Sequence, residues 1–260
     1  VNALRLDPTA DRPISLQLAD VLRSEILDGT RRPGSQLPTE SEFQNDYGVS
    51  RTTVRTALRE LIGQGLVVSR KGYGSYVRDQ RPIRRVAAGR RAGSHKPVFD
   101  EEIESQGHVP SRRMLQVGRV AVPDEIADLL ALPHGSEAVI RQRLHLVDDE
   151  PTSISTSYYP LWLAGDTALE GDKPIPEGPD ALIEDLGHVF GKCTEVFRAR
   201  MPLAEEARLL RLDPGVPVIR VVRTDYDRTG RPLQVADDLY SGDRHEITVT
   251  FDDEAGAETP

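Results

Sequence analysis

A chain of 260 residues is long enough for two domains, each able to bury a core of its own. Its single cysteine, Cys193, excludes an intramolecular disulfide and argues against a cysteine-based metal cluster, and neither a long apolar run nor a signal-peptide pattern is present, which points to a cytoplasmic protein with no membrane role. The net charge of −9 speaks against nucleic acid only until it is divided: residues 1–96 carry 17 Lys+Arg against 10 Asp+Glu and the remainder 16 against 32, so a basic N-terminal part is joined to an acidic body.

Residues 1–13, with Pro8 and Pro13, read as a loose lead-in. Ser15 is expected to cap a helix to about Asp28, with Leu18, Val21, Leu22 and Ile26 as its apolar stripe and Gly29 as its stop. Thr39 with Glu42 three residues on forms a capping box for a helix through Tyr47. Gly48 turns the chain, and Ser50 caps a second helix that Gly63 and Gly65 end. Val54, Leu58, Leu61 and Ile62 recur at helical spacing and face a core, while Arg51, Thr52, Thr53 and Arg55 crowd the N-terminal half of the helix and point elsewhere. A helix of this kind is built to enter a DNA major groove. Leu66–Val68 and Ser75–Val77 then read as strands around Arg70, Lys71, Gly72, Tyr73 and Gly74, a hairpin whose glycines allow close backbone approach to a groove and whose cations supply counter-charge. In isolation such a tip is an ordinary solvated hairpin; after a helix-turn-helix it reads as a wing. The plainer alternatives are that Arg55 pairs with Glu60 or another neighbour, that Thr52 and Thr53 only face solvent, and that Glu40 holds a helix N-terminus rather than reading a base.

The stretch LPTESEFQNDYGVSRTTVRTALRELIGQGLVVSRKGYGSYV (37–77) resembles the winged-helix DNA-binding domain of the GntR superfamily of bacterial transcription regulators. The resemblance covers about residues 14–78 and rests on the L-P-[ST]-E opening, S-R-x-T-V-R-x-A-L and G-x-G-[ST]-[YF]-V, all in order. It implies that Arg51, Thr52 and Arg55 contact bases and phosphates and that the wing glycine enters the minor groove. Many relatives carry a DNA-reading Arg where this chain has Ser41, so the operator half-site is expected to differ from the commonest one.

Arg78 to Lys96, with six Arg, one Lys and one Asp, lacks hydrophobic periodicity and contains Pro82, Gly89 and Gly93, so residues 79–97 read as a flexible basic linker. The plainer reading is a solvated tether and the sharper one a source of salt-dependent affinity near the operator, and the two are compatible. Beyond it the expected elements are a helix over 100–106, strands over 112–122, 137–147 and 153–159, helices over 123–132 and 180–186, a strand over 194–203, a helix over 204–212, and strands over 216–226, 233–240 and 247–251, with an acidic tail at 253–260. A weak repeat aligns Ala127–Gly135 with Ala207–Gly215 and, after a one-residue slip, Val139-Ile140-Arg141 with Val218-Ile219-Arg220. A helix feeding a hairpin, used twice, predicts an antiparallel sheet with quasi-twofold symmetry and a ligand cleft where the halves meet.

This half, over about residues 98–252, is similar to the UTRA effector-binding domain found in the HutC subfamily. The similarity is carried by a short helix ending in Gly107, the x-L-L-x-L-x-x-G turn, the R-x-R strand (Arg141, Arg143), the strand after Pro151 and Leu239-Tyr240 before Gly242-Asp243-Arg244. It implies an α+β chain: a winged helix-turn-helix over 1–78, then an antiparallel sheet with helices resembling the chorismate lyase fold, with a homodimer and a small-molecule effector. Strand alternation offers candidate effector-binding residues: Arg141 and Arg143 share one face, and Gln234, Ala236, Asp238 and Tyr240 another. Phosphosugar-binding relatives use serines where this chain places Asp100 and Asp180, and a Ser-x-Tyr tyrosine where it has Leu182. Carboxylates there would repel a phosphate, so a carboxylate-bearing metabolite is expected instead. The two arginines could equally do no more than pair with carboxylates of the acidic domain.

The six histidines show no metal-ligand spacing, and no nucleophile elbow, phosphate loop or dinucleotide fingerprint is present, so neither a metal nor a cofactor is expected. A lyase-like enzyme and an architectural DNA binder without ligand remain as alternatives; the basic winged helix argues against the first and the large second domain against the second. The expectation is a repressor that binds a near-palindromic double-stranded operator as a dimer and is released by its effector.

Overall fold

A computed structural model describes residues 6–70, 72–78, 82–87 and 97–250, so Lys71, most of the linker and the acidic tail lie outside the described residues. The chain divides into two compact units, one built mainly on residues 1–81 and the other on 82–211 and 218–260.

In the first unit, α1 (Ile14–Leu27), α2 (Glu40–Tyr47) and α3 (Arg51–Gly63) are followed by a hairpin of β1 (Val67–Arg70) and β2 (Gly74–Val77). Helix α1 starts at Ile14 with Pro13 at its N-cap and no side-chain cap, so Ser15 lies inside the first turn instead of capping it; the fixed φ of proline pre-sets the entry. The capping box of α2 forms as expected: Thr39 Oγ1 accepts from the Glu42 N–H and Glu42 accepts from the Thr39 N–H. Leu18, Leu22, Phe43, Val54, Leu61 and Val67 are buried together, which joins all three helices to the hairpin. The wing pairs Val67 with Val77 through Arg70 with Gly74.

The second unit runs β3 (Ile83–Ala87), α4 (Val98–Ser105), β4 (Pro110–Ala121), α5 (Asp124–Leu129), β5 (Glu137–Val147), β6 (Glu150–Pro160), α6 (Leu161–Ala164), α7 (Gly178–Asp185), β7 (Phe190–Arg200), α8 (Ala204–Leu209), β8 (Val218–Asp227), β9 (Pro232–Ser241) and β10 (His245–Val249). Six strands form one antiparallel sheet in the order β4-β5-β6-β9-β8-β7. Helix, strand, helix, strand, strand occurs twice, and the two copies meet at β6 and β9, which is the arrangement a quasi-twofold produces. The repeat extends upstream of the stretch identified from sequence: Ile103-Glu104-Ser105-Gln106-Gly107-His108-Val109 matches Ile183-Glu184-Asp185-Leu186-Gly187-His188-Val189, and Gly107 and Gly187 take φ of 81° and 90° after their helices.

The alignment of strands needs one correction. A one-residue slip equates Arg141 with Arg220, yet Arg220 lies on the sheet face of Glu125 and Val222, while Arg141, Arg143 and Arg223 lie on the other. Side chains alternate along a strand, so a slip of one moves every residue to the wrong face; without it, Arg143 corresponds to Arg223. The linker is corrected too. Ile83–Ala87 is a strand paired in parallel with β10, from Ile83↔His245 to Ala87↔Val249. Cys193 is half-buried on β7, an edge strand of the sheet.

Candidate functional site

The sequence brings two surfaces to attention, and each lies within one unit. On the first, Ser50 caps α3 through the Thr53 N–H at 3.2 Å, and its Oγ also lies 2.9 Å from the Thr53 hydroxyl. Thr53 is thereby engaged in the cap, leaving Thr52, Arg51 and Arg55 as the exposed members of the set. Arg51 donates to Glu40 Oε2 at 2.6 Å, and Arg55 Nε lies 3.7 Å from Glu40 Oε1. Glu40 therefore bridges from α2 to both arginines; the Glu60 carboxylate, the partner considered for Arg55, accepts from Gln64 instead. The two arginines retain 71% and 61% of their side-chain exposure, so the pairing holds them without burying them. Such exposed pairs are worth about 0–1 kcal/mol, which a phosphate or base edge can outcompete. Ser41 is exposed at the start of α2. At the wing, Gly72 and Gly74 take φ of 81° and 101°, and a Cβ on Gly74 would come to 3.1 Å from Gln36 Nε2, the atom that bonds the Tyr73 carbonyl.

The second surface is a cavity of about 380 Å³ in the other unit, beneath α4 and α7 on one face of the sheet. It gathers Arg141, Arg143, Gln234, Asp238 and Tyr240, five of the six residues singled out by alternation; Ala236 is not among its lining residues. They do not share one role. Arg141 is 2% exposed, and its guanidinium donates to the carbonyls of Leu169 at 2.8 Å, Ala168 and Lys173 at 3.3 Å, and Gly171. It ties down the loop between α6 and α7, and its partners are backbone oxygens, not carboxylates. Burial, and then the neighbouring Arg143 charge, push its guanidinium below its ordinary pKa. Arg143 sits beside it without an ion pair or hydrogen bond among the described residues. The other cavity arginines are all engaged: Arg85 by Glu195, Arg112 by Asp100, and Arg223 by Asp225 at 2.8 Å. The quasi-equivalent arginines Arg143 and Arg223 thus differ in one respect that bears on ligand: only the second carries its own counter-charge. Gln234 is drawn to that side, donating to Asp225 at 2.7 Å and to Asp180 at 3.4 Å.

Across the cavity, Tyr240 donates to Asp238 at 3.2 Å and accepts from Arg85 Nε at 3.0 Å. Burial raises the Asp238 carboxyl above its ordinary value and the Tyr240 phenol likewise, the latter aided by the adjacent carboxylate. His245 packs edge-on against Tyr240, donates from Nδ1 to the Ser241 carbonyl at 3.1 Å, and is pushed by burial down to about 4. His145 stacks on Phe99 and is held by burial and nearby arginines at about 3. Both imidazoles are neutral walls. The residues that sequence reasoning missed are Arg85, Arg223, the two histidines, and Ser155 and Ser157. The serines share the β6 face with Tyr159 at period two, so alternation could have found them; Arg85 carried no such signal. Among the described residues no group of His, Cys, Asp and Glu is placed to hold a metal, and no helix is long and apolar enough to cross a membrane.

A winged helix with two solvent-facing arginines at the head of its second helix, on a chain whose other unit encloses a polar cavity, defines a DNA-binding regulator with a ligand-binding domain. Residues 14–77 match the gntR family of bacterial regulatory proteins, and residues 105–246 match the UTRA domain. The HTH-type transcriptional repressor NagR of Bacillus subtilis is 28% identical over 241 residues, covering 92% of this chain and 95% of that one. The HTH-type transcriptional regulator SCO4628 of Streptomyces coelicolor, itself uncharacterized, is 31% identical over 245 residues, covering 90% and 91%. A crystal structure of a GntR-family transcriptional regulator superposes with a TM-score of 0.68 at 28% identity, covering 93% of this chain and 98% of that one. PhnF from Mycobacterium smegmatis shares the fold, with a TM-score of 0.59 at 24% identity over 91% and 100% of the two chains. The chain belongs to the GntR family, in its UTRA-bearing HutC branch. It is a DNA-binding transcription regulator with an effector-binding domain, from a family of regulators rather than of enzymes.

Proposed function

We propose that the repressor reads its operator through Arg51, Thr52 and Arg55 of α3, with Gly72, Gly74 and the Arg70-Lys71 cations at the wing and Ser41 at the start of α2, and that it acts in the cytoplasm as a homodimer on a near-palindrome. Two recognition helices presented by a twofold dimer suit successive major-groove half-sites. Thr53 serves the helix cap more than the DNA. The effector is a small metabolite carrying a carboxylate, bound in the 380 Å³ cavity, with Arg143 as its counter-charge, Asp238, Tyr240 and Gln234 around its polar groups, and Arg141 holding the wall in place.

The observation that carries this reading is Arg143: a cavity arginine with no ion pair or hydrogen bond among the described residues, beside others that are all neutralised or bonded. A guanidinium fork suits a carboxylate. Asp180 and Asp238 line the same cavity, which disfavours a phosphate and favours hydroxyls or an amine elsewhere on the ligand. Binding that prefers one arrangement of the dimer shifts operator affinity by the difference in affinity for the two states. The test is a gel-shift titration on the operator recovered by in vitro selection. Arg51→Ala should weaken specific binding by about 1–3 kcal/mol, roughly five- to 150-fold, and Arg143→Ala should bind DNA normally but no longer release it with effector. Unchanged specific binding by Arg51→Ala would refute the DNA assignment, and a normal effector response in Arg143→Ala the ligand assignment.

A further inference from the structure

The strand β3 is an unusual wall for a ligand cavity, because it comes from the stretch that joins the two parts of the chain. It is held along both edges. On one side it pairs in parallel with β10, and the Ile83 N–H donates to the Arg244 carbonyl at 2.7 Å. On the other, side chains of α4 and the residue after it take the place of a strand: Gln106 accepts from the Arg84 N–H and donates to the Arg84 carbonyl, each at 2.8 Å, and Glu102 accepts from the Val86 N–H at 3.1 Å. A two-stranded pairing is weak by itself, so these side chains decide whether the strand stays.

Between them, Arg85 points into the cavity. Its Nη2 donates to Glu195 at 2.5 Å, its Nε donates to the Tyr240 hydroxyl, and its guanidinium carbon lies 5.3 Å from the Tyr240 ring centre. Its Nη1 is buried and has no hydrogen-bond partner among the described residues. Asp238 Oδ1, on the other side of the Tyr240 hydroxyl, likewise has no hydrogen-bond partner of normal geometry among the described residues, although the Ser155 hydroxyl on the neighbouring strand stands beside the carboxylate and acts to lower its pKa. One chain of three side chains in one cavity thus ends in an unmet donor and an unmet acceptor, whereas buried polar groups are ordinarily satisfied. A ligand that offers an anionic oxygen and a hydroxyl meets both.

We propose that Arg85 is an effector-contacting residue, so that the segment leading from the winged domain is itself part of the effector site, and that the effector is a hydroxy acid, its carboxylate shared between Arg143 and Arg85 and a hydroxyl donated to Asp238. The proposal rests on the cavity being the effector site. It gives occupancy a direct route to the DNA-binding half: a ligand oxygen on Nη1 stabilises β3 in its pairing with β10, and the winged domain ends only a few residues before that strand.

The experiment uses the full chain with gluconate as the probe, glucose as the uncharged control and inorganic phosphate as the anion without a carbon skeleton. Binding is followed by thermal shift, and the state of β3 by hydrogen–deuterium exchange at residues 83–87. Gluconate should stabilise the wild type and slow exchange of β3 by at least tenfold, glucose should do neither, and phosphate should bind at least tenfold more weakly. Arg85→Gln should need at least tenfold more gluconate and lose the ligand-dependent protection of β3. Arg85→Lys should recover part of the affinity. Glu195→Gln, which keeps Arg85 and removes its competitor, should bind gluconate at least threefold more tightly and serves if Arg85→Gln does not fold; unchanged affinity there counts against the proposal. If Arg143→Ala loses gluconate while Arg85→Gln binds it normally, Arg85 is only a strut and the proposal falls while the cavity assignment stands. If gluconate does not bind the wild type, or neither variant changes its binding, the cavity assignment falls and takes this proposal with it. Equal binding of glucose, or preference for phosphate, overturns the hydroxy acid.

Discussion

On α3 the arginines stand in water, with 71% and 61% of the Arg51 and Arg55 side chains exposed and one carboxylate, Glu40, between them. In the effector unit they are turned inward: Arg141 is 2% exposed, and the side chains of Arg85 and Arg223 11% and 17%. The same side chain thus meets two kinds of partner. An exposed guanidinium pays little desolvation and suits a polyanion whose counterions it displaces, with affinity that falls as salt rises. A buried one must have its hydrogen bonds satisfied in place, so its partners are fixed, and the one left unsatisfied marks where a ligand completes the set.

Four measurements would break or sharpen this contrast. The largest effect is expected from Leu61→Ala, which opens a cavity in the core beneath α3. It should cost about 2–5 kcal/mol in urea denaturation and abolish operator binding, whereas Arg51→Ala should leave stability within about 0.5 kcal/mol because its surface is already wet. Next comes Arg141→Ala. Removing the buried guanidinium that four loop carbonyls share, that of buried Leu169 and those of Ala168, Gly171 and Lys173, should cost about 2–4 kcal/mol and expose the loop between α6 and α7 to proteolysis; Arg143→Ala, one position along the same face, should cost far less. Equal losses would erase the distinction between the structural arginine and the ligand-reading one.

The third measurement is stability against pH. The folded state holds His245 at about 4, below the ordinary 6.5, because burial penalises its charged form. Its neutral state supports the fold in full above pH 6.5, and that support is lost as pH falls from 6.5 toward 4, when the unfolded chain takes up a proton that the folded chain refuses. The slope should approach about 1.4 kcal/mol per pH unit for this one group. His245→Asn should remove that component of the slope when compared directly with wild type. The smallest effect is expected from Glu40→Gln: freeing Arg51 and Arg55 and removing one negative charge should raise non-specific DNA affinity about two- to fivefold, the size of an exposed pair. A fall in affinity would mean that Glu40 positions the arginines for binding.

Much of this was legible in the residues. The capping box at Thr39 and Glu42, the Ser50 cap, the turn glycines and the apolar stripes act within a few residues, so α2, α3, the wing and nearly every sheet strand could be read from local pattern. The duplicated helix-hairpin pattern foretold a quasi-twofold sheet, and alternation named five side chains that share a cavity. What it could not resolve was roles. Arg141 and Arg143 are the same residue type two positions apart, and Arg143 and Arg223 are equivalent by repeat. Which of them is spent on backbone carbonyls, which is neutralised by Asp225 and which has no partner among the described residues depends on groups brought within about 3 Å by strands and loops distant in the chain. The basic stretch after the wing was read as a tether for the same reason. The pairing partner of Ile83–Ala87 is β10, at the far end of the effector unit, and the side chains that satisfy its other edge come from α4. Local pattern thus determined the elements and the family of this regulator. Tertiary structure alone decided which charges are paired, because pairing is a property of distance in space and not of spacing along the chain.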